Sequence, residues 1–134
     1  DEILNGIWLT CEETFWGVPA HLGPQKAGVG LPDVAEPIVD LFAAETASLL
    51  AWTDYLAGDL LAKVSPLVPE RIRLEIDRRI LTPCLAREDF GWMGFKGGSV
   101  NNWNPWICSN WLATALLTEH DDMRRKAAVA KIVA

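Results

Sequence analysis

The sequence predicts an all-α fold in which helical hairpins form part of an incomplete α/α toroid. Apolar residues recur at helical spacing in five segments, and no segment shows the two-residue alternation of a strand. Helices that are apolar around much of their circumference alternate with amphipathic ones, which is typical of stacked hairpins with covered inner helices. The 134 residues fit one domain. We expect a fragment of a larger toroid, because neither end of the sequence shows a domain boundary.

The first helix is expected from about Ile3 to Phe15, where Ile7 and Cys11 continue a stripe at i+4 spacing. Residues 17–33 then hold four glycines and three prolines, a composition incompatible with a long helix or a central strand. Irregular connections of this length in compact domains are often functional.

The second helix is expected from about Val34 to Leu61, with Asp33 as its N-cap. One of its faces is a stripe of large residues that we expect in the core, namely Ile38, Phe42, Leu49, Trp52 and Leu56. Its other face carries small residues that permit close helix packing, namely Ala43, Ala47, Ala51 and Gly58. A helix with two such faces is expected to be buried on more than one side.

Three more helices are expected from about Pro69 to Leu85, from Pro105 to about Thr118, and from about Asp122 to the end, after Asp121 as N-cap. The first of these three is predicted to be an ordinary amphipathic outer helix. Several of its charged residues lie largely off the isoleucine stripe, among them Arg71, Glu75, Arg78 and Arg79.

The composition argues against several classes of function. A net charge of −6 provides no general attraction to nucleic acid or to an anionic membrane surface. No apolar run approaches the roughly 20 residues of a transmembrane helix, and the opening residues lack the features of a signal peptide. Two histidines, and three cysteines without CxxC spacing, argue against a metal site, and no motif indicates a cofactor. Apolar helix faces without a partner would favour self-association.

The segment GGSVNNWNPWICSNW, residues 97–111, is the strongest candidate for a binding site. Asn104 is expected as a helix N-cap followed by Pro105 at the first helical position. Such a helix start would expose backbone amides and the positive end of the helix dipole to an anion. Asn101 and Asn102 add uncharged donors immediately before it.

Two aromatic side chains flank the same helix start. Trp103 and Trp106 could bracket a ligand ring, and uncharged amides beside them would suit the carboxylate of a uronic acid. Neutralising that carboxylate lowers the pKa of the C5 hydrogen and stabilises the enolate formed in β-elimination, so Asn102 and Asn101 are the candidate catalytic residues. The alternative is purely structural, because Asn and Gly favour turns and Trp is a good core residue.

Other candidates rest on fewer observations. In the segment TCEETFWGVPAH, the side chains of Glu13, Trp16 and His21 could line a sugar subsite or supply acid and base groups. They can equally be a surface carboxylate, a core indole and a loop imidazole. Lys96 could pair with an anionic substituent, although an exposed loop lysine is the ordinary interpretation.

The segments NGIWLTCEETFWGVPAHLG and GGSVNNWNPWICSNWL, in this order with helical hairpins between them, resemble the N-terminal toroid of bacterial heparinase II/III-like proteins. The resemblance covers most of the chain and is strongest in these two segments. It implies a periplasmic or secreted polysaccharide lyase that cleaves heparin-, heparan- or alginate-like uronic-acid glycans by β-elimination. In that family the substrate lies between an incomplete α/α toroid and a C-terminal β-sandwich region.

The resemblance also implies roles for individual residues. An asparagine of the toroid neutralises the substrate carboxylate in that family, and this role carries to Asn102 first and Asn101 second. Several related lyases have a histidine directly after this asparagine, where this sequence has Trp103. The family's catalytic tyrosine lies downstream of the motif, whereas the one tyrosine here, Tyr55, lies upstream. The catalytic tyrosine and the β-sandwich are therefore expected to be absent from this chain, which alone should not turn over substrate.

Two alternative functions stay open at this point. A glycoside hydrolase of the α/α toroid type would rest on paired carboxylates, here Glu12 or Glu13 with Glu45. A non-catalytic glycan-binding or scaffolding module would need the helical surface alone.

Overall fold

The computed structural model describes residues 1–95, 97 and 99–134, and within these ranges it is helical without strands. The prediction of an all-α fold is confirmed. The α-helices are α1 Glu2–Glu12, α2 Leu41–Val64, α3 Leu67–Ile76, α4 Thr82–Ala86, α5 Trp103–Thr118 and α6 Asp122–Ile132. A π-helical turn, Asp77–Leu81, joins α3 to α4, and short 3-10 turns lie at Pro19–His21 and Gly91–Met93.

Helix α2 is the centre of the fold. It packs against α3 and α5, while α1 packs on α3 and α6 packs on α5 and α4. The buried face of α2 consists largely of small residues, among them Ala43, Ala44, Ala47, Ala51 and Gly58. Because these residues have little or no side chain, the neighbouring helices can approach the α2 backbone closely, as the sequence predicted.

Four large apolar residues of α2 lie on its opposite face, and there the prediction was wrong. Phe42, Leu49, Trp52 and Leu56 are exposed, although they were expected in the core. The reason is geometric: α3 and α5 both pack against the small-residue face, which leaves the large residues outside. Ile38, the fifth member of the predicted stripe, is buried but precedes the helix.

The start of α2 also differs from the prediction. The helix begins at Leu41 rather than near Val34, and its N-cap is Asp40, whose Oδ1 accepts a hydrogen bond from the Ala43 N–H at 2.8 Å. Asp33 instead closes a local turn by accepting the Ala35 N–H. The chain between these two aspartates is therefore not helical.

The other helix boundaries shift by smaller amounts. α1 ends at Glu12, short of the predicted Phe15, because Glu13 already has an extended backbone with ψ of 137°. The predicted single helix from Pro69 to Leu85 starts two residues earlier, at Leu67, and contains the π-helical turn. α5 begins at Trp103 rather than at Pro105.

Helix α3 and the π-helical turn carry a buried ion cluster, which corrects the prediction of an ordinary outer helix. The Glu75 carboxylate is only 2% exposed and accepts hydrogen bonds from the Nε atoms of Arg71, Arg78 and Arg79, at 2.8, 2.5 and 2.6 Å. Arg79 in turn donates from Nη2 to the Cys11 carbonyl oxygen at 3.1 Å. The cluster thus binds the last turn of α1, where unpaired carbonyl groups favour a cation.

Candidate functional site

A cleft of about 390 Å³ opens where four segments meet: the turn at Pro19–His21, the start of α2, the turn at Gly91–Met93, and the start of α5. This volume lies within the range of small-molecule sites in proteins. The walls are largely apolar and aromatic, with Phe90, Trp92 and Trp103 among them. A few polar side chains interrupt these walls, and their geometry defines what the cleft can bind.

The central polar contact is between His21 and Asp40. The Nδ1 atom of His21 lies 2.7 Å from Oδ2 of Asp40. The aspartate is 1% exposed, whereas the imidazole is 23% exposed and remains accessible from the cleft. The Asp40 carboxylate also accepts the N–H groups of Val18 and Ala43, at 3.2 and 2.8 Å. One buried side chain therefore starts α2, holds the loop before it and orients the imidazole.

Gly17 explains how the loop reaches Asp40. A Cβ atom at this position would lie 2.5 Å from Oδ2 of Asp40 and 2.4 Å from Cζ of Phe15. Real Cβ atoms essentially never make contacts this short, so the backbone can approach the carboxylate only without a side chain. The next residue then donates its N–H to Asp40, and Pro19 starts the turn that brings His21 into place.

Trp103 and Asn101 form the opposite side of the cleft. The indole ring of Trp103 meets the His21 ring edge-on, with 4.6 Å between the ring centroids. Oδ1 of Asn101 accepts the Trp103 N–H at 2.9 Å. Since the amide oxygen is occupied in this way, the Nδ2 group of Asn101 is the part of the side chain left to donate to a ligand.

The start of α5 differs from the helix start that the sequence predicted. Asn104 is not the N-cap: it lies inside the helix, and its Nδ2 donates to the Trp92 carbonyl oxygen at 3.0 Å. The first two helical N–H groups, of Trp103 and Asn104, are bonded to Oδ1 and to the carbonyl oxygen of Asn101, and Pro105 has no N–H. An anion would therefore meet side-chain amides here rather than free backbone amides.

Asn102 and Trp106 lie beside the cleft without lining it. Asn102 occupies the N-cap position of α5, but its exposed side chain makes no capping hydrogen bond. Trp106 is 46% exposed. Of the two asparagines assigned to the carboxylate, Asn101 is the one that lines the cleft.

Two further candidates lie elsewhere, and a third falls outside the described residues. Trp16 is 5% exposed; its Nε1 donates to the Thr10 carbonyl oxygen, and the guanidinium of Arg79 lies 4.6 Å from its ring centroid. No face of this indole is left for a sugar ring. Glu13 is exposed at the end of α1 and does not line the cleft. Lys96 lies outside the residues that the structure describes.

Asp40, Phe90 and Trp92 are among the lining residues of the cleft that sequence reasoning missed. Asp40 was assigned to the inside of a helix, although Asp is a common N-cap residue and could have indicated the helix start. Phe90 and Trp92 stack with a centroid distance of 5.9 Å, and Trp92 donates from Nε1 to the Val39 carbonyl oxygen. The concentration of tryptophans in residues 92–111 was the available signal for this wall.

Other kinds of site find little support in the described part of the chain. It contains no cluster of three or more His, Cys, Asp or Glu side chains able to hold a metal ion. Burial raises the pKa of the thiols of Cys11, Cys84 and Cys108, which disfavours the reactive thiolate. No helix among the described residues is both long and apolar enough to span a bilayer.

Comparison of the chain with protein-family models gave no match, and comparison with curated proteins gave none either.

Proposed function

We propose that this chain is the toroid part of a polysaccharide lyase and that it binds the uronate unit of an acidic glycan in the cleft. One observation carries the proposal: Asn101, Trp103 and His21 meet in a single cleft. They come from the two separate segments that resemble heparinase II/III-like proteins. This convergence of distant residues is what a shared binding role requires.

The contacts suggest how the sugar is held. Oδ1 of Asn101 is bonded to the Trp103 N–H, so in this proposal its Nδ2 group donates to the carboxylate. The apolar face of the sugar ring would pack on Trp103. A net charge of −6 repels an acidic glycan at long range, so the affinity comes from these short-range contacts. Such an uncharged donor also stabilises the negative charge that grows on the carboxylate during β-elimination.

The toroid itself is part of the proposal. Helix α2 has one face packed against α3 and α5 and another face of exposed large apolar residues. An inner helix of a toroid needs both faces, because a second layer of helices covers the outer one. The rest of the toroid, or self-association, would cover the exposed face. By the resemblance, the parent protein acts in the periplasm or outside the cell.

Calorimetry with unsulfated oligouronides tests the binding step, with neutral oligosaccharides of equal length as control. We expect saturable binding of the acidic ligand only. The Asn101→Ala variant should bind about 10- to 100-fold more weakly, since a hydrogen bond to a charged group contributes about 1.5–3 kcal/mol. The matched Asn102→Ala variant should keep the wild-type affinity. Equal losses in both variants, or equal binding of neutral ligand, would refute the assignment.

Product analysis of the parent protein separates the lyase from its alternatives. A lyase releases 4,5-unsaturated uronides, which absorb in the ultraviolet, and a hydrolase releases saturated sugars. The described lining of the cleft contains one carboxylate, the buried Asp40, and none of Glu12, Glu13 and Glu45. The paired carboxylates of a hydrolase are therefore not provided by this cleft. Binding without any product would identify a non-catalytic module.

A further inference from the structure

We infer that His21 is the proton-accepting residue of this cleft and that Asp40 is the positioning residue that orients it. The inference rests on the proposed function, because it requires a uronate bound beside the imidazole. It assigns a chemical role to His21 and Asp40, which are separated by the irregular segment before α2 and which no sequence motif identifies.

The hydrogen-bond partners of Asp40 fix the tautomer of His21. Both carboxylate oxygens act as acceptors, Oδ1 for the Ala43 N–H and Oδ2 for the Val18 N–H. A carboxylate in this arrangement favours a third donor, so Nδ1 of His21 carries the hydrogen in their 2.7 Å contact. In the neutral imidazole the lone pair then lies on Nε2, which is the state a general base needs.

The surroundings hold this ring while leaving Nε2 available. Trp103 meets the imidazole edge-on at 4.6 Å, and Phe42 stacks nearly parallel to it at 6.2 Å, both measured between ring centroids. Within the described part of the chain, Nε2 has no hydrogen-bond partner. Among the described residues that line the cleft, only His21 and Asp40 have ionisable side chains. Proton transfer by a side chain of this wall therefore falls to His21.

The chemical step is the removal of the C5 hydrogen of the bound uronate. The C5–H bond breaks, the proton moves to Nε2 of His21, and the electron pair forms the enolate of the carboxylate beside Nδ2 of Asn101. In heavy water the imidazolium exchanges its proton for a deuteron and returns it to C5. The cycle needs no other reactant, so it can be observed whether or not the C4–O4 bond is broken.

Deuterium exchange at C5 tests His21 directly. The chain is incubated with a saturated oligouronide in heavy water, and the loss of the H5 signal is followed by proton NMR. We expect the wild type to exchange at least about 100-fold faster than His21→Asn, the low end of general base catalysis. Asparagine retains a side-chain N–H for Asp40 but has no Nε2. The His120→Gln variant, which alters the other, exposed histidine, should exchange like the wild type.

Calorimetry on the same samples separates this inference from the proposed function. Wild-type binding without exchange, or equal exchange by the wild type and His21→Asn, would overturn the role of His21 and leave the binding proposal intact. The absence of any oligouronide binding would overturn both.

The role of Asp40 has its own spectroscopic test. In alkaline buffer, the nitrogen-15 spectrum of wild-type His21 should show a protonated Nδ1 and an unprotonated Nε2; His120→Gln removes the only other imidazole signal. Asp40→Asn should shift His21 toward the Nε2–H tautomer and slow the exchange at least about tenfold, because an amide can donate to Nδ1. If wild-type His21 shows the Nε2–H tautomer, the positioning role of Asp40 is overturned. This result needs only the wild type, so it holds even where Asp40→Asn fails to fold.

Discussion

Glu75 and Asp40 are the two most deeply buried carboxylates among the described residues, 2% and 1% exposed, and their partners are of different kinds. Glu75 binds three arginine side chains, whose positive charges are permanent. Asp40 binds two backbone N–H groups and one imidazole, which can change its protonation.

The two carboxylates stabilise opposite ends of the same irregular segment, residues 13–40. Glu75 acts through Arg79, which binds the Cys11 carbonyl oxygen and covers Trp16. Asp40 caps the helix that follows the segment. Burial alone therefore does not distinguish a carboxylate that binds arginines away from the cleft from one that lines the cleft. Glu75 and its three arginines are not among the described residues that line the cleft, whereas His21, the partner of Asp40, is one of them.

The largest effect is expected from the removal of Glu75. In Glu75→Ala the buried guanidinium of Arg79 loses its counter-ion, and the free energy of unfolding should fall by about 3–5 kcal/mol. Chemical denaturation measures this loss. Glu70→Ala, at an exposed position in the same helix, should change stability by less than about 0.5 kcal/mol. Similar values for the two variants would show that the cluster does not anchor the fold.

Lowering the pH should remove part of the stability that Glu75 contributes. Burial by itself raises the pKa of Glu75, but hydrogen bonds from Arg78, Arg79 and Arg71 outweigh it and hold the pKa below the ordinary 4.5. The contribution of Glu75 is therefore complete above about pH 4.5 and is lost as the pH falls through the lower native value. The difference in unfolding free energy between wild type and Glu75→Gln should shrink on going from about pH 6 to about pH 3. A difference in unfolding free energy that stays constant with pH would contradict the predicted loss of stability at low pH.

Removal of Asp40 should destabilise the fold by about 2–3 kcal/mol, since Asp40→Ala loses an N-cap and two further hydrogen bonds in a buried site. Denaturant unfolding is again the measurement. Asp33→Ala is the matched control, because Asp33 is exposed and closes only a local turn, and it should lose less than about 0.5 kcal/mol. If Asp40→Ala is no less stable than this control, Asp40 is not the structural cap described above.

The smallest effect is expected at Asn102, at the start of α5, which is the second helix that begins beside the cleft. Asn102→Asp places a negative charge at the N-terminus of α5, where the Asn102 side chain makes no capping hydrogen bond, and should raise the unfolding free energy by about 0.3–1 kcal/mol. The same charge should weaken oligouronide binding by a factor of about two to five, through repulsion at an exposed site. Thermal unfolding and calorimetry measure the two changes, and tighter binding would contradict a carboxylate-binding role for this face.

The sequence could predict the helices but not their orientation. Periodicity shows that α2 has two apolar faces, yet only the packing of α3 and α5 decides that Ala43 and Ala47 face inward while Leu49 and Trp52 face outward. Asp33 and Asp40 are equally plausible caps in sequence terms, and the choice depends on which one the tertiary structure buries.

The site was predictable only in part for a related reason. Asn101, Trp103 and His21 were selected from local patterns, because turn and helix signals are local. The contact between His21 and Asp40 crosses 19 residues without regular structure, and no periodicity relates its ends. The sequence also did not predict that the backbone N–H groups of Trp103 and Asn104 are already hydrogen-bonded. That pattern follows from an N-cap at Asn102, two residues before the expected N-cap at Asn104.

Gly17 gives this part of the molecule a recognisable signature. The spacing is a glycine, a histidine four positions later, and an aspartate 19 positions after that. The glycine offers no chemical group, but the Cβ atom of an alanine in its place would lie 2.5 Å from Oδ2 of Asp40, so the loop or the carboxylate would have to shift. A motif search restricted to polar residues would overlook this glycine, whereas one that requires it would select chains in which the loop can approach the aspartate this closely.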